Sequence, residues 1–234
     1  MWNGKKKAIT FSYDDGVTQD VRLVALFNKY GIKSTFNINY GRLGQENALI
    51  RNGVRISHNK VEAADVRHIY EGHEVAGHTL THPSLLTLSD DEVVREVEED
   101  RLRLSELVGY EVKGFAYPGG SQYRDARVDR AIRERTGARY ARGTDTTGSF
   151  AVPQDLYHFK PSCYHHPEWE RMWQLAEEFL SLAPDEPALF YIWGHAYEFD
   201  IYPERWVQLE AFLEMISERE DVFYGTNREV LLGE

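Results

Sequence analysis

Apolar and polar positions along this 234-residue chain change rhythm repeatedly, and the changes mark out its elements. Residues 7–13 (KAITFSY) are dense in β-branched and aromatic side chains, and Asp14-Asp15-Gly16 closes them with turn chemistry, which predicts a strand. Over residues 20–30, Val21, Val24, Ala25 and Phe27 recur at helical spacing, and Gly31 supplies the stop. Residues 35–39 predict a second strand. Residues 40–60 hold Gly41, Gly44 and Gly53 and show no period, so a long surface loop is expected there, of the kind that often shapes a site. A short helix is expected over 61–70 and a short apolar piece over 72–77. Ser89 with Glu92 three residues on is a capping box, and it opens a helix whose Val93, Val94, Val97, Leu102, Leu104 and Leu107 run to Gly109. Beyond it, strands are predicted at 112–117, 188–193 (ALFYIW) and 222–224. Helices are predicted at 124–135, 167–183 and 203–218, the last opened by Pro203.

Strands that alternate with helices imply an α/β fold, a parallel sheet with helices packed on it. If such a sheet closes into a barrel, its active site lies where strands end and the following loops begin. The length suits one core, so a single domain over residues 1–234 is expected. Hydrophobic residues make up 42% of the chain, but no apolar run approaches the roughly 18 residues that span a bilayer, which argues against a membrane protein. The formal charge of -11, from 38 acidic against 27 basic residues, repels nucleic acid and anionic lipid unless a basic patch dominates locally. Arg101/Arg103 and residues 124–135 are the densest basic stretches, and their interleaving with acids and apolar residues reads as solvated helix faces. No apolar signal region stands near the start, so a cytoplasmic location is expected, or an extracellular one if a leader has been trimmed from the sequence. Cys163 is the only cysteine; it permits no intrachain disulfide and leans slightly toward a reducing compartment.

Four segments at the expected strand ends carry candidate chemistry. YDDG places the carboxylates of Asp14 and Asp15 side by side, a pattern that also arises as simple turn chemistry. In GHEVAGHTLTHP, His78 and His82 lie four apart, so one helical turn would bring both imidazoles to one face. Two histidines and a carboxylate form a recurrent ligand set for catalytic zinc, and Asp15 is available to complete it. FAYPGG, residues 115–120, makes a rigid turn with exposed backbone N–H groups suited to an oxyanion. His195 leaves the end of the ALFYIW strand, where catalytic side chains gather in barrels.

In this order, the four segments resemble the motifs of the polysaccharide deacetylase family, also known as carbohydrate esterase family 4 or the NodB-homology domain, over residues 8 to about 196. The resemblance implies a distorted (β/α) barrel with about seven parallel strands, and zinc or another divalent ion as cofactor. It implies Asp14 as catalytic base, Asp15, His78 and His82 as metal ligands, and His195 as general acid. It further implies Trp193 as a wall of the acetyl pocket, the Gly119 N–H as an oxyanion donor and Tyr117 as a substrate contact. The expected partner is an acetylated carbohydrate. Two positions depart from the family pattern: Ala116 stands where many members carry an arginine that orients the base, and Gly119 where a tyrosine often follows the proline. The family's fourth motif, whose aspartate supports the general acid, has no clear counterpart between Thr144 and His165, and Asp145, Asp155 and Asp200 are the candidates to orient His195. The competing readings are a non-catalytic carbohydrate-binding relative and a hydrolase of a non-sugar amide on the same fold. Loop aromatics near the expected site, Tyr40, Tyr123, Tyr164 and Tyr197, are the candidates to stack on a sugar ring.

Overall fold

The apolar run near the start of the chain becomes strand β1 (Lys7–Asp14), whose eight residues are all buried, as a strand covered on both faces requires. The computed structural model describes residues 1–119 and 123–234. Helix α1 (Asp20–Lys29) leads to β2 (Ser34–Ile38). Next come a two-stranded antiparallel hairpin, β3 (Ala48–Arg51) with β4 (Val54–Ser57), the short α2 (Val66–Ile69) and β5 (Glu74–Gly77). Helix α3 (Asp90–Val108) begins at the capping box of Ser89 and Glu92 and ends at Gly109 in the left-handed region (φ 81°). It is followed by β6 (Gly114–Ala116), α4 (Ala126–Arg135), β7 (Tyr140–Arg142), β8 (Cys163–Tyr164), α5 (Trp169–Ser181), β9 (Ala188–Gly194), α6 (Glu204–Ile216), β10 (Val222–Tyr224) and α7 (Asn227–Leu232).

The main sheet runs β7-β6-β5-β2-β1-β9-β8, and every pairing in it is parallel. Strand β10 pairs with Lys7 to Ile9 of β1, below the point where β2 takes over at Phe11. A parallel bridge from Arg142 to Phe159 draws the β7 edge toward the chain that leads into β8, so the seven strands curl into a distorted, partly open (β/α) barrel.

Alternation along the strands separates two interiors. Ile9, Phe11 and Tyr13 of β1 face the helices and join Phe27, Phe179 and Phe212 in the largest apolar cluster. Ala8, Thr10, Ser12 and Asp14 face the other way, into the barrel, where Tyr140, Tyr191 and Trp193 also point. The barrel interior is unusually polar for a core, and many of its groups are matched: Thr10 donates to Asn227, Asn37 to Ser12, and both Thr35 and Tyr140 to Glu74, while the Tyr191 hydroxyl and the Trp193 ring nitrogen are buried without a hydrogen-bond partner among the described residues. At the open end of this interior, side chains become available for chemistry.

Several sequence expectations are corrected. Residues 40–60 are not a structureless loop, because their β-branched and apolar positions pair as the β3–β4 hairpin. The helix expected at 61–70 is a 3-10 turn (Ala63–Asp65) followed by four α-helical residues. Strands β7 and β8, of three and two residues, went unread because no periodicity can show in so short a run. Among the described residues no helix is long and apolar enough to cross a membrane.

Candidate functional site

Asp14 ends β1, and the next residue, Asp15, takes a left-handed backbone (φ 85°); the two carboxylates meet different partners, Asn37 and Arg142 for Asp14 and His58 for Asp15. The Asp15 N–H donates to the Asn37 carbonyl (3.0 Å) at the end of β2. Single ligand atoms of Asp15, His78 and His82 all lie within 4.8 Å of one another. No helical turn brings the two histidines together. They flank a loop in which Thr79 and His82 both have positive φ (67° and 62°), and the Thr79 hydroxyl accepts from the His82 N–H (3.0 Å). Helix α3 holds this loop: Asp100 accepts from the His78 N–H (3.0 Å), and Glu96 accepts from both the N–H and the hydroxyl of Thr81 (2.9 and 3.0 Å).

The imidazoles are poised as ligands. His78 Nδ1 lies 2.8 Å from the Ala116 carbonyl, which requires that nitrogen to carry the proton and leaves Nε2 with a free lone pair. Burial lowers His78 to about 4 and also lowers His82, so both rings are neutral near pH 7. Burial works against an ionised Asp15, yet the His58 hydrogen bond (3.0 Å) and the charges of Lys60 and His195 outweigh it and hold the carboxyl well below its usual range. Lys60, itself buried, donates to the Asp15 carbonyl (2.8 Å).

Asp14 is gripped differently. Asn37 Nδ2 donates to its Oδ1 (2.8 Å), and so does the guanidinium of Arg142. Register explains the second contact, since Ala116 of β6 pairs with Arg142 of β7, and both residues face the barrel interior in one layer. The guanidinium missing at Ala116 is thus supplied by the neighbouring strand. Arg142 also lies over the Trp193 ring (4.7 Å), whose other neighbour is the stacked Tyr164 (centroids 4.0 Å). The second departure from the family pattern has a local cause as well. Gly119 has φ 63°, and a Cβ there would lie 1.7 Å from the Tyr123 ring, so that ring occupies the space a side chain would need. Gly120, the last residue of FAYPGG, lies outside the described residues.

His195 follows β9, and its supporting acid is Glu198, not one of the three aspartates expected. Asp155 pairs with Arg133, Asp145 with Lys160, and Asp200 accepts from Gln19 and Trp206. Glu198 lies one 3-10 turn after His195, its Oε1 3.3 Å from His195 Nδ1 and its Oε2 accepting the His195 N–H (3.1 Å). The same carboxylate bonds His165 Nε2 (2.8 Å) and accepts from the Tyr164 hydroxyl, which also lies 3.2 Å from His195 Nδ1. Burial opposes a charged His195, but Glu198, with help from Asp15 and Asp14, outweighs it and raises His195 to about 9. Glu198 is correspondingly held well below the usual carboxylate range.

Asp14, Asp15, His78, His82, Tyr117, Gly119, Trp193 and His195 all line one pocket of about 420 Å³, so the structure brings together every site residue expected from the sequence. Tyr117 meets it without its hydroxyl, which donates to Asp129 (2.8 Å) and the Tyr157 carbonyl (3.0 Å). Of the four loop aromatics, Tyr164 and Tyr197 line the pocket, Tyr123 lines a groove beside it, and Tyr40 lies beneath Arg103. Arg142 and Glu198 were not found from sequence. Glu198 had a signal in the His-x-x-Glu spacing of a capping box; Arg142 had none until its strand neighbour was known.

Comparison with known proteins bears on the family and the fold. Residues 2–141 match the family described as Polysaccharide deacetylase. The chain is 26% identical over 116 residues to the uncharacterized protein YlxY of Bacillus subtilis (strain 168), a match that takes in 50% of this chain but only 31% of that protein. The fold is similar to that of a family 4 carbohydrate esterase from Streptomyces lividans solved in complex with acetate (14% identity, TM-score 0.56, 95% of this chain and 93% of that one). It is also similar to BA3943 from Bacillus anthracis, described as a CE4 family pseudoenzyme (17% identity, TM-score 0.53, 97% and 66%). The two structural likenesses speak for the fold alone. The family match covers more than half of the sequence, including the aspartate pair and both clustered histidines, and by it this chain belongs to the polysaccharide deacetylase family.

Proposed function

We propose that this protein is a metal-dependent hydrolase that removes acetyl groups from an N-acetylated, or O-acetylated, saccharide. The observation that carries the reading is the convergence, at one end of the sheet, of a carboxylate–imidazole–imidazole cluster with a separately gripped carboxylate and a histidine of raised pKa. The cluster fits zinc or another divalent ion: two neutral imidazoles, at least one with its tautomer set by a carbonyl, and an ionised carboxylate are the donors such an ion takes in catalytic sites. When bound by Asp15, His78 and His82, the ion supplies Lewis acidity and a water of lowered pKa.

The chain's own residues supply the remaining steps. Asp14, held by Asn37 and Arg142, takes the proton of the attacking water. The Gly119 N–H, at the pocket lining, receives the developing oxyanion, and Trp193 with Tyr164 walls the acetyl methyl. His195, charged at neutral pH, gives its proton to the leaving nitrogen, which departs poorly as an anion. Arg142 and Glu198 act through Asp14 and His195 and are positioning residues.

Adjacent aspartates with separate tasks fail separately. Asp14→Asn is expected to keep stoichiometric zinc and lose most acetate release from N-acetylated oligosaccharides, whereas Asp15→Asn loses zinc first. Metal analysis of both variants beside the activity assay checks this, and equal zinc loss in the two would end the division of labour. Glu198→Gln tests the support of the acid. Without that negative charge the raised pKa of His195 falls, so its active protonated form persists only to a lower pH. The alkaline limb of kcat/KM is therefore expected to move down by roughly one to two units. An alkaline limb that stays in place would show that Glu198 does not tune His195.

A further inference from the structure

Many cations of this acidic chain are paired with a carboxylate, and others, such as Arg55, Arg67 and Arg95, show no ion pair among the described residues. Arg103, Arg127, Arg133 and Arg135 each pair with a carboxylate at the surface, and Arg124 pairs with Asp129 beneath it. Inside the pocket the matching is complete for the acids: Asp14 has Arg142, Asp15 has Lys60, and Glu198 has His195 and His165. Two guanidiniums of the pocket lining are then left over. Arg42 and Arg51 both line the pocket, and among the described residues neither has a carboxylate within ion-pair distance. The Arg42 guanidinium has no hydrogen-bond partner there either, and Arg51 reaches the Ile50 carbonyl and the Tyr197 hydroxyl.

Position makes this surplus notable. Arg42 is half-buried, and it lies near enough to Lys60 for the two positive charges to oppose each other, an arrangement unfavourable to the protein by itself. Both arginines come from the segment between β2 and β5 and are held in place. Arg42 closes a 3-10 turn after β2, and Arg51 ends β3. The feet of the hairpin are fastened by Gly44 N–H to the Val61 carbonyl (2.9 Å) and Lys60 N–H to the Gln45 carbonyl (2.9 Å), and its tip by Asn52 to the Tyr202 hydroxyl (2.9 Å). The Arg42 guanidinium is partly desolvated and that of Arg51 is exposed, and a guanidinium matches the two oxygens of a carboxylate better than any neutral sugar hydroxyl.

We infer that Arg42 and Arg51 form an anion subsite beside the reacting centre, and that the saccharide deacetylated here carries a carboxylate close to its acetyl group, as sugars with uronic acid or carboxyalkyl substituents do. This rests on the deacetylase reading above and adds the substrate's charge to it.

The test compares two N-acetylated oligosaccharides that differ only in whether the carboxylate is free or a methyl ester. With the wild-type, zinc-loaded protein, KM for the acid is expected to be about tenfold or more below that for the ester, with similar kcat. In Arg42→Ala/Arg51→Ala the ratio of the two KM values falls toward one, and added salt narrows the wild-type ratio in the same direction. A wild-type ratio near one, or a ratio that survives the double substitution, overturns the subsite. Should neither oligomer release acetate, the deacetylase reading fails, and calorimetric titration of the intact protein with the same two compounds still decides the subsite. Tighter binding of the acid that is lost in the double variant upholds it, and equal affinity removes it.

Discussion

Arg142→Met is expected to lower the stability of the protein by about 3–5 kcal/mol, a fall in melting temperature of about 6–20 °C for a chain of this size. Arg142 and Asp14 are 1% and 2% exposed, so the substitution leaves a carboxylate buried with Asn37 as its remaining side-chain donor. Desolvation of that unmatched charge is the dominant cost; loss of the cation over Trp193 adds to it. A double-substitution cycle separates the pair from its surroundings. Asp14→Asn combined with Arg142→Met removes both charges, and the double variant is expected to be more stable than the sum of the single losses requires, by more than about 1 kcal/mol. Strict additivity in thermal or urea unfolding would mean that the contact contributes little.

Turnover should suffer as well, because the proposed base is held by the same guanidinium. At a temperature where Arg142→Met remains folded, kcat is expected to drop by about a hundredfold or more with KM little changed. Arg142→Lys restores the charge without the planar fork, so it should recover stability before it recovers turnover. A lysine variant that restores both equally would reduce the role of Arg142 to charge alone.

What was legible in the sequence followed the range of the interactions involved. The strand 188–193 was legible because every residue in it is apolar, and α3 because its capping box and its period agree. Asp14, Asp15, His78 and His82 were legible as chemistry because the signal lies within a few adjacent residues. The geometry of the histidines was not. A spacing of four suggested one helical turn, whereas the chain uses two left-handed residues and a threonine hydroxyl to bring the rings together. Arg142 lies 128 residues from Asp14, and only the order of strands makes them neighbours. The expectation that an aspartate before His165 or beyond His195 would support the acid failed for a related reason. Asp145, Asp155 and Asp200 were already engaged by Lys160, Arg133, Gln19 and Trp206, contacts that become visible only in the fold.

His195→Ala should lower turnover of a sugar acetamide by about a hundred- to ten-thousandfold, the usual contribution of a positioned proton donor. The geometry favours that role over a structural one. His195 sits at the pocket, its side chain 17% exposed, and Glu198 and Tyr164 meet one ring nitrogen while the ring remains part of the pocket lining. Its raised pKa, about 9, keeps it charged through the neutral range, so the proton is available when the amine begins to leave. An activated acetate ester has a leaving group that departs without protonation, and there the deficit should be much smaller. Zinc content should not change, since the three proposed ligands lie elsewhere. A structural histidine predicts a different outcome, an equal loss on both substrates together with a lower melting temperature from the cavity left behind. Kinetics of the wild type and His195→Ala on the acetamide and the ester, with zinc measured in each sample, therefore separate the two, and an equal loss on both substrates would remove His195 from the mechanism.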